Sequence, residues 1–400
     1  MSRTKKLLSL LAFLVLSFRT QCVRSLNPSL NDDVLGLIVF KADLQDPKRK
    51  LSSWNQDDDT PCNWLVSNGV TELSLDGLSL SGQIGRGLMQ LQFLHKLSLS
   101  RNCLTGSINP NLTRLENLRI IDLSENSLSG QYRRTFLRIG DSKYFELILA
   151  SINLSSNQFS GSLPAGIWGL NGLSSLDLSG NLLDSEIPRG IEVLNNLRNI
   201  NLSKNRFNGG VPNGIGSCLL LRSVDFSENM LSGTVPDTMQ NLGLCNYLSL
   251  SNNSVRGEVP NWIGELNRLE TLDLSGNRFS GSNFNWNLQS LKVFNLSANS
   301  LSVELTRIYD QLWETFWLWI LARICSVATF LCGFLVQEIR LERNSLSGQI
   351  PSSIGNCSSL TTFLTRSCFS VSFDEVESYL KTASQARYPS SWQPFPALLL

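Results

Sequence analysis

Apolar and polar positions follow one fixed arrangement along most of the chain, LxxLxLxxN followed by xLxGxIP. In LSSLDLSGN, for example, Leu176 and Leu178 are two residues apart, so they point to the same face of a short strand. That face must be buried, whereas the residues between the leucines face solvent. The second half adds an apolar pair, a permissive glycine and a proline without an N–H group, which is typical of a turning outer edge rather than a helix interior.

An asparagine ends the strand motif in successive units, and its positions give the period. Six of the nine gaps between these asparagines are 24 residues, which is too regular for coincidence. An inward-facing asparagine offers donors and an acceptor to backbone groups that are freed where each strand bends away. Stacked units therefore predict a solenoid with a parallel β-sheet on its concave face. The asparagines are Asn102, Asn126, Asn157, Asn181, Asn205, Asn229, Asn253, Asn277, Asn299 and Asn344.

The residues before the repeats predict a helix that caps the solenoid. Asp32 or Asp33 can act as its N-cap, and its apolar side chains would cover the open first repeat. Without this cover the leucines of the first repeat would face water. The apolar side chains belong to Val34, Leu35, Leu37, Ile38 and Phe40.

The chain divides into segments of different composition. Lys5 and Lys6 precede an apolar run from Leu7 to Phe18, the order typical of a secretory signal, with cleavage near Ser25. We predict a signal peptide at 1–25, a cap at 26–66, a solenoid at 67–305 with an irregular repeat at 131–151, a hydrophobic interruption at 306–335, a residual repeat segment at 336–364 and a non-repeat tail at 365–400.

A second apolar run, at 316–336, is long enough for a transmembrane helix, although Arg323 stands near its middle. Acidic residues precede the run and Arg340 and Arg343 follow it, which favours a cytoplasmic C-terminal side. The repeat resumes directly afterwards, however, and so short a stretch of repeat has no stable core of its own. Two alternatives stand: a single membrane span, or a hydrophobic insertion in the solenoid.

Charge and composition exclude several function classes. The 34 Lys and Arg residues balance 33 Asp and Glu residues, and the net charge of +1 gives no field that would attract nucleic acid. His95 is the only histidine, and the sequence contains no kinase, phosphate-loop or dinucleotide motif. The nine cysteines include no CxxC pair. We therefore expect no enzyme activity, no cofactor and no bound metal.

Residues between the inward leucines line the concave face, the surface with which solenoids hold partners. Eight charged or titratable side chains at these positions are candidates for partner binding. The alternative for each is an ordinary solvated surface residue, because a few residues supply most of the energy of an interface. The candidates are His95, Arg101, Arg119, Arg198, Lys204, Arg222, Glu228 and Glu270.

Six Asn-x-Ser/Thr sequons predict N-glycosylation of a secreted chain. Asn153, Asn201 and Asn295 lie between paired strand leucines, so glycans there would narrow the concave surface left for a partner. The alternative is that these asparagines are unmodified polar strand positions. The six are Asn111, Asn153, Asn201, Asn252, Asn295 and Asn356.

The LSGxIP half of the repeat resembles the extracellular leucine-rich repeats of plant receptor-like kinases and receptor-like proteins. The segment from Asn31 to Trp64 resembles the N-terminal cap of those receptors, and its details are most similar to the inflorescence-and-root-apices receptor kinase group. The resemblance implies a plant-type α/β leucine-rich repeat solenoid and a cap disulfide within CxWxGVxC. This sequence reads CNWLVSNGVTEL instead, so Cys62 has no such partner. It also implies a receptor kinase, of which this sequence has the ectodomain and lacks the kinase domain.

Together these features predict a non-catalytic, receptor-like ectodomain that binds a peptide or protein ligand, with a co-receptor as a further partner and no nucleic acid. We expect the secretory pathway and the plasma membrane, in a single-pass form with an extracellular N-terminus. One alternative is a soluble inhibitor or decoy in the extracellular space or cell wall. Another is a truncated receptor product without function.

Overall fold

The computed structural model describes residues 32–54, 70–109, 112, 114–131, 149–163, 165–281, 288, 290–302, 337–345 and 361–364. The chain divides into two compact units, Met1–Leu197 and Arg198–Leu400. In both units, each described repeat begins with a three-residue strand, here called the inner strand. In most of them the periodic asparagine of the sequence motif, here called the ladder asparagine, follows the strand; the first repeat has Leu78 there. The outer part of most repeats holds a second strand or a 3₁₀ turn.

The predicted capping helix is present as α1, Asp32–Ala42. Val34, Leu37 and Phe40 are buried, and Leu37 and Phe40 are completely inaccessible to solvent. Leu35, which the sequence placed on the apolar face, is instead 55% exposed. The reason is geometric, since consecutive helical residues are about 100° apart and Leu35 follows Val34 out of the buried stripe.

Asp33 is buried in the first turn of α1 and does not serve there as a simple surface cap. Its Oδ2 accepts a hydrogen bond of 2.8 Å from the backbone N–H of Val70, just before the first inner strand. Gly87 also permits close approach, because a Cβ at this position would lie 2.3 Å from the carbonyl oxygen of Gly36 in α1. The helix is therefore fixed to the first repeat by both a hydrogen bond and backbone packing.

Unit 1 contains two sheets. The inner strands are all parallel in the order β2, β4, β6, β8 and β10, and the outer strands follow the order β1, β3, β5, β7, β9 and β11, with only β1 antiparallel. The strands are β1 Leu44–Gln45, β2 Glu72–Ser74, β3 Ser81–Gln83, β4 Lys96–Ser98, β5 Cys103–Gly106, β6 Ile120–Asp122, β7 Ser127–Gln131, β8 Ser151–Asn153, β9 Gln158–Ser162, β10 Ser175–Asp177 and β11 Leu182–Glu186.

Unit 2 repeats this arrangement. Its inner strands are parallel in the order β12, β14, β15, β17, β19, β20 and β21, and β16 pairs with β18 on the outer side. The strands are β12 Asn199–Asn201, β13 Arg206–Asn208, β14 Ser223–Asp225, β15 Tyr247–Ser249, β16 Arg256–Glu258, β17 Thr271–Asp273, β18 Arg278–Ser280, β19 Val293–Asn295, β20 Glu338–Arg340 and β21 Thr362–Leu364. Parallel inner strands in stacked repeats confirm the predicted solenoid fold.

In six of the described repeats a short 3₁₀ turn, rather than an α-helix, leads from the outer part back towards the next inner strand. Three of the turns follow a proline that fixes the extended backbone at the residue before the turn: Pro212, Pro236 and Pro260. The interior between the layers is filled by the motif leucines, which are almost completely buried. The turns are Arg86–Gln90, Ala165–Gly169, Ile191–Val193, Asn213–Ser217, Asp237–Asn241 and Asn261–Glu265.

The ladder asparagines satisfy the backbone where each inner strand ends, as the sequence predicts. Asn277 is representative: its Nδ2 donates to the carbonyl oxygens of Leu250, Leu274 and Ser275 at 2.8, 3.1 and 3.1 Å. Its Oδ1 accepts from the backbone N–H of Val255 at 3.0 Å. One side chain thus binds its own strand end and the preceding repeat, which joins neighbouring repeats.

Both irregular stretches leave the pairing of the repeats on either side intact. β6 pairs directly with β8 although residues 132–148 lie between their repeats, and Asn157 Nδ2 donates to the carbonyl oxygen of Leu123 at 2.9 Å. Similarly, β19 pairs directly with β20 across residues 303–336. Asn344 Nδ2 donates to the Leu296 carbonyl at 3.0 Å, so the asparagine ladder continues after the interruption.

Several sequence predictions lie outside the described residues: the signal peptide at 1–25, Cys62, Asn111 and Asn356, the apolar run at 316–336 and the tail at 365–400. In the part of the chain that the structure describes, no helix combines the length and apolar character needed to cross a membrane.

Candidate functional site

The solvent-facing side of the inner strands, together with the residue before each strand and the turn after it, forms a surface that we call the strand face. Backbone hydrogen bonds hold successive rows of this surface in register. The N–H of Arg222 donates to the Arg198 carbonyl at 2.7 Å, and the N–H of Asn246 donates to the Arg222 carbonyl at 2.8 Å. Adjacent rows are therefore about 4.8 Å apart, the spacing of neighbouring strands.

Five of the predicted partner-binding residues immediately precede an inner strand. In unit 1, His95 is exposed and Arg119 is half-buried. In unit 2, Arg198 and Arg222 are exposed in adjacent rows, and Glu270 is half-buried. Glu270 binds Lys292 of the next row, with 2.6 Å between Oε2 and Nζ. His95 and Arg119 thus lie in adjacent rows of unit 1, and Arg198 and Arg222 lie in adjacent rows of unit 2.

The other three predicted residues, Arg101, Lys204 and Glu228, lie in the turn just before the ladder asparagine. Their φ angles are 54, 55 and 52°, the left-handed conformation, so their side chains start from the end of the strand rather than from the strand itself. Lys204 and Glu228 approach to 3.6 Å, and both side chains are well exposed. Such an exposed pair contributes little to stability, so both charges remain accessible to a partner.

Four of the inner strands end in an aspartate whose carboxylate is already hydrogen-bonded. Asp225 Oδ1 accepts from the N–H and hydroxyl of Ser227 at 3.0 and 2.6 Å, and Asp273 is bound in the same way by Ser275. Asp122 and Asp177 repeat this contact in unit 1. These hydrogen bonds fix the orientation of the carboxylates, which also give the surface negative charge.

Three of the predicted glycosylation sites occupy the same position as these aspartates. Asn295 Oδ1 accepts from the N–H and hydroxyl of Ser297 at 3.1 and 2.8 Å. Asn153 and Asn201 also accept from the serine two residues on. The serine of these sequons thus has a structural role in the repeat. Asn252 differs, because it is exposed in the left-handed turn with φ 53°.

Tyr247 is a strand-face residue that the sequence prediction missed. It is half-buried in β15, and its hydroxyl donates to Asp225 Oδ2 at 3.4 Å. Burial raises the pKa of the Tyr247 hydroxyl, and the negative charges of Asp225 and Asp273 in the two neighbouring rows raise it further. An aromatic residue at a strand position was visible in the sequence, but its place between two carboxylates depends on the cross-strand register.

Among the described residues, no group of three or more His, Cys, Asp or Glu side chains is arranged to hold a metal ion. The strand face of unit 2 offers instead two arginines in adjacent rows, the Glu270–Lys292 ion pair, the ring of Tyr247 and hydrogen-bonded carboxylates. This arrangement is suited to holding an extended partner by side-chain complementarity.

Comparison with known families agrees with the fold. The leucine rich repeat N-terminal domain matches residues 30–71. Leucine rich repeat models match residues 220–279 and, separately, 93–115, 149–170, 172–194, 196–218 and 335–357.

Individual proteins similar to this chain include plant receptors. The probable LRR receptor-like serine/threonine-protein kinase IRK of Arabidopsis thaliana is 72% identical over 82 residues, 19% of this chain and 8% of that protein. The ectodomain of the Arabidopsis receptor kinase HAESA, solved with a N-terminal extended IDA peptide hormone ligand, has a TM-score of 0.68 and 29% identity over 84% of this chain and 53% of its own. HAESA solved with IDA and the co-receptor SERK1 has a TM-score of 0.63 and 26% identity over 83% of this chain and 65% of its own.

Proposed function

We propose that the chain, whose repeats match leucine rich repeat models and resemble plant receptor ectodomains, acts as a receptor-type ectodomain whose strand face binds a peptide or protein partner. The observation that carries the proposal is the unit 2 strand face, where Arg198, Arg222, Tyr247 and the Glu270–Lys292 pair occupy successive rows. Arginine and tyrosine are the residue types that most often dominate the energy of protein interfaces. The proposed role is binding in cell-surface signalling, without catalysis.

The structural relatives support a peptide as the first partner to test. HAESA was solved with the peptide hormone IDA and with the co-receptor SERK1, on a related repeat fold. The matched region of IRK is only 8% of that kinase, so its activity and partners do not transfer to this chain as a whole. We propose a peptide ligand, with a co-receptor as a further partner, for a chain that enters the secretory pathway.

One observation argues against a membrane anchor at 316–336. Direct pairing of β19 with β20 places the residues before and after 303–336 in one sheet. A single membrane crossing between them would put these paired strands on opposite sides of the bilayer. We therefore propose a secreted binding protein, which could act as an inhibitor or decoy, in preference to a receptor that is anchored in the membrane by this segment.

The binding proposal can be tested with the full chain secreted from plant cells and used to select random 12-residue peptides displayed on phage. Selected peptides are then measured against Tyr247→Ala and Glu270→Lys, which alter the strand face. Matched controls are Met230→Ala and Glu258→Lys, whose side chains are exposed outside the strand face. We expect at least about a tenfold loss of affinity in the strand-face variants and none in the controls.

Peptides that bind all four variants equally would contradict the proposed function. A chain that accumulates only as an unfolded aggregate would also contradict it and would support the alternative of a non-functional product.

A further inference from the structure

Three leucines with solvent exposure lie together at one edge of unit 2, in the turns that lead into β14 and β15. Leu219 is 56% exposed, and Leu220 and Leu244 are partly exposed. Leu220 and Leu244 hold equivalent positions in adjacent repeats, each directly before the first buried residue of the strand motif. We call Leu219, Leu220 and Leu244 the leucine edge.

At the position of Leu220 and Leu244, three other repeats carry a side chain that hydrogen-bonds to the preceding turn, and two others carry Phe93 or Gly172. Asn117 Nδ2 donates to the Gln92 carbonyl at 2.9 Å, and Ser290 Oγ donates to the Asn267 carbonyl at 2.9 Å. These contacts join consecutive turns, and leucine cannot make them. The two leucines therefore lack this contact, and in adjacent repeats they place apolar surface in water, a feature that marks candidate interaction sites.

Two arginines flank the leucine edge. Arg222 follows Leu220 by two residues, and its backbone N–H binds the Arg198 carbonyl in the adjacent row. Both arginines are exposed, and neither forms an ion pair with a carboxylate among the described residues. Like charges in neighbouring strands repel each other, so a bound anionic group would be stabilised between them.

The segments that carry the leucine edge contain no acidic side chain, and the next one along the chain, Asp225, is already bound by Ser227 and Tyr247. Residues 217–223 and 241–249 contain one charged side chain, Arg222. The surface therefore combines apolar area with uncompensated positive charge. Its complement is a polypeptide segment in which a carboxylate side chain lies next to a bulky apolar side chain, because the two features would then bind the arginines and the leucines together.

We propose that the leucine edge with Arg198 and Arg222 is a second docking surface, and that it binds an acidic, apolar segment of a protein partner. This surface lies at the start of the inner strands. It shares Arg198 and Arg222 with the strand face, so in that part it rests on the proposed function. The leucine edge itself lies outside the strand face, and the test below removes Tyr247 and Glu270 so that the two proposals can fail separately.

The test uses the full chain carrying Tyr247→Ala and Glu270→Lys, so that ligands of the strand-face centre are not selected. Random 12-residue peptides on phage are selected against this protein. Selected peptides are then measured against the same protein with Leu219→Gln and Leu244→Gln added, or with Arg198→Glu and Arg222→Glu added. Matched controls are Met230→Gln, at a leucine-sized side chain that is 60% exposed, and Arg206→Glu on β13.

We expect enrichment of peptides that combine Asp or Glu with Leu, Ile, Phe or Met. Their affinity should fall at least about tenfold with the two leucine substitutions and stay unchanged in both controls. The charge-reversed protein should select Lys or Arg in place of the acidic residues, a gain of specificity that a misfolded variant cannot show. Absence of acidic, apolar peptides, or their unchanged binding to the leucine variants, would overturn the proposal.

Discussion

At the scale of single residues, the ladder asparagine determines how one repeat is joined to the next. No other side chain of similar size offers both a carbonyl acceptor and an amide donor to backbone groups from two repeats. The first repeat has Leu78 at this position, and leucine cannot bind backbone groups through its side chain. The asparagine of the next repeat binds them instead: Asn102 Oδ1 accepts from the N–H groups of Leu78 and Leu80 at 3.1 and 3.0 Å. The contribution of a ladder asparagine to the stability of the fold can therefore be measured by replacing a single one.

Replacing Asn277 by alanine should lower the free energy of unfolding by about 3 kcal/mol, because buried backbone groups of two repeats lose their partner. The measurement is the urea midpoint of the purified chain. The matched control is Asn267→Ala, an exposed asparagine in the same repeat, which should change stability by no more than about 0.5 kcal/mol. Equal effects of the two substitutions would show that the ladder contacts do not stabilise the fold.

Two cysteines are expected to differ sharply in reactivity. Burial raises the pKa of the Cys245 thiol to about 12, and its Sγ lies 3.3 Å from the Tyr247 carbonyl oxygen. Cys103 is exposed. Because the thiolate is the reactive form, iodoacetamide at pH 8 should alkylate Cys103 and leave Cys245 unmodified until denaturant is added. Peptide mass spectrometry checks this, and equal native alkylation of both would contradict the burial of Cys245.

The sequence predicted residue roles where they follow the period and missed them where they depend on backbone conformation. The inward asparagines follow directly from the repeat. The sequence proposed Arg101, Lys204 and Glu228 as concave-face candidates, but their left-handed turn cannot be read from a hydrophobic pattern. The contact of Tyr247 with Asp225 joins residues from two repeats and required the register of the sheet.

At the scale of secondary-structure elements, the capping helix shows how a terminal repeat is closed. The sequence predicted α1 and most of its buried face, because apolar periodicity is a strong signal. It did not predict that Asp33 turns inward to bind the Val70 N–H group, since Val70 is distant in the sequence. A carboxylate placed between the helix and the first repeat makes the closure sensitive to pH.

Acid should stabilise this closure. Burial raises the pKa of the Asp33 carboxyl above its ordinary value, so the folded cap binds a proton more readily than the unfolded chain. Stability therefore falls as the pH rises from the ordinary aspartate value through the raised folded value, and is constant above it. Hydrogen exchange of α1 amides, corrected for intrinsic rates, should show this dependence.

The substitution Asp33→Asn should abolish the pH dependence of α1, because the amide cannot ionise while its oxygen can still accept from Val70. Asp237→Asn, at an exposed aspartate of unit 2, is the control and should leave it unchanged. A pH dependence that survives in Asp33→Asn would assign it to another group.

At the scale of the whole molecule, the main result is that the repeats on both sides of 303–336 form adjacent rows of one sheet. Sequence alone left a membrane span and an insertion as alternatives, since length and apolar character satisfy both. Pairing of strands is a long-range property that a sequence pattern does not reveal, and it is the observation on which we base the proposal that both flanks lie in the same compartment.

Two engineered sequons test this topology at equivalent turn positions. Ala298→Asn and Arg343→Asn each create an Asn-Asn-Ser sequon, before and after the segment, at residues with φ of 52 and 55°. Expressed in plant cells, both variants should gain one glycan, seen as a glycosidase-sensitive mass shift. A glycan on the Ala298 variant but none on the Arg343 variant would indicate that the chain crosses the membrane between them.

The central claim is that the strand face binds the partner, and hydroxyl-radical footprinting of the full chain with and without a selected peptide tests it most directly. The method reports side-chain accessibility at Tyr247 on the strand face and at Met230, which is exposed outside it. The account predicts that bound peptide slows oxidation of Tyr247 and leaves Met230 unchanged. Protection of Met230 with no change at Tyr247 would place the partner elsewhere and contradict the claim.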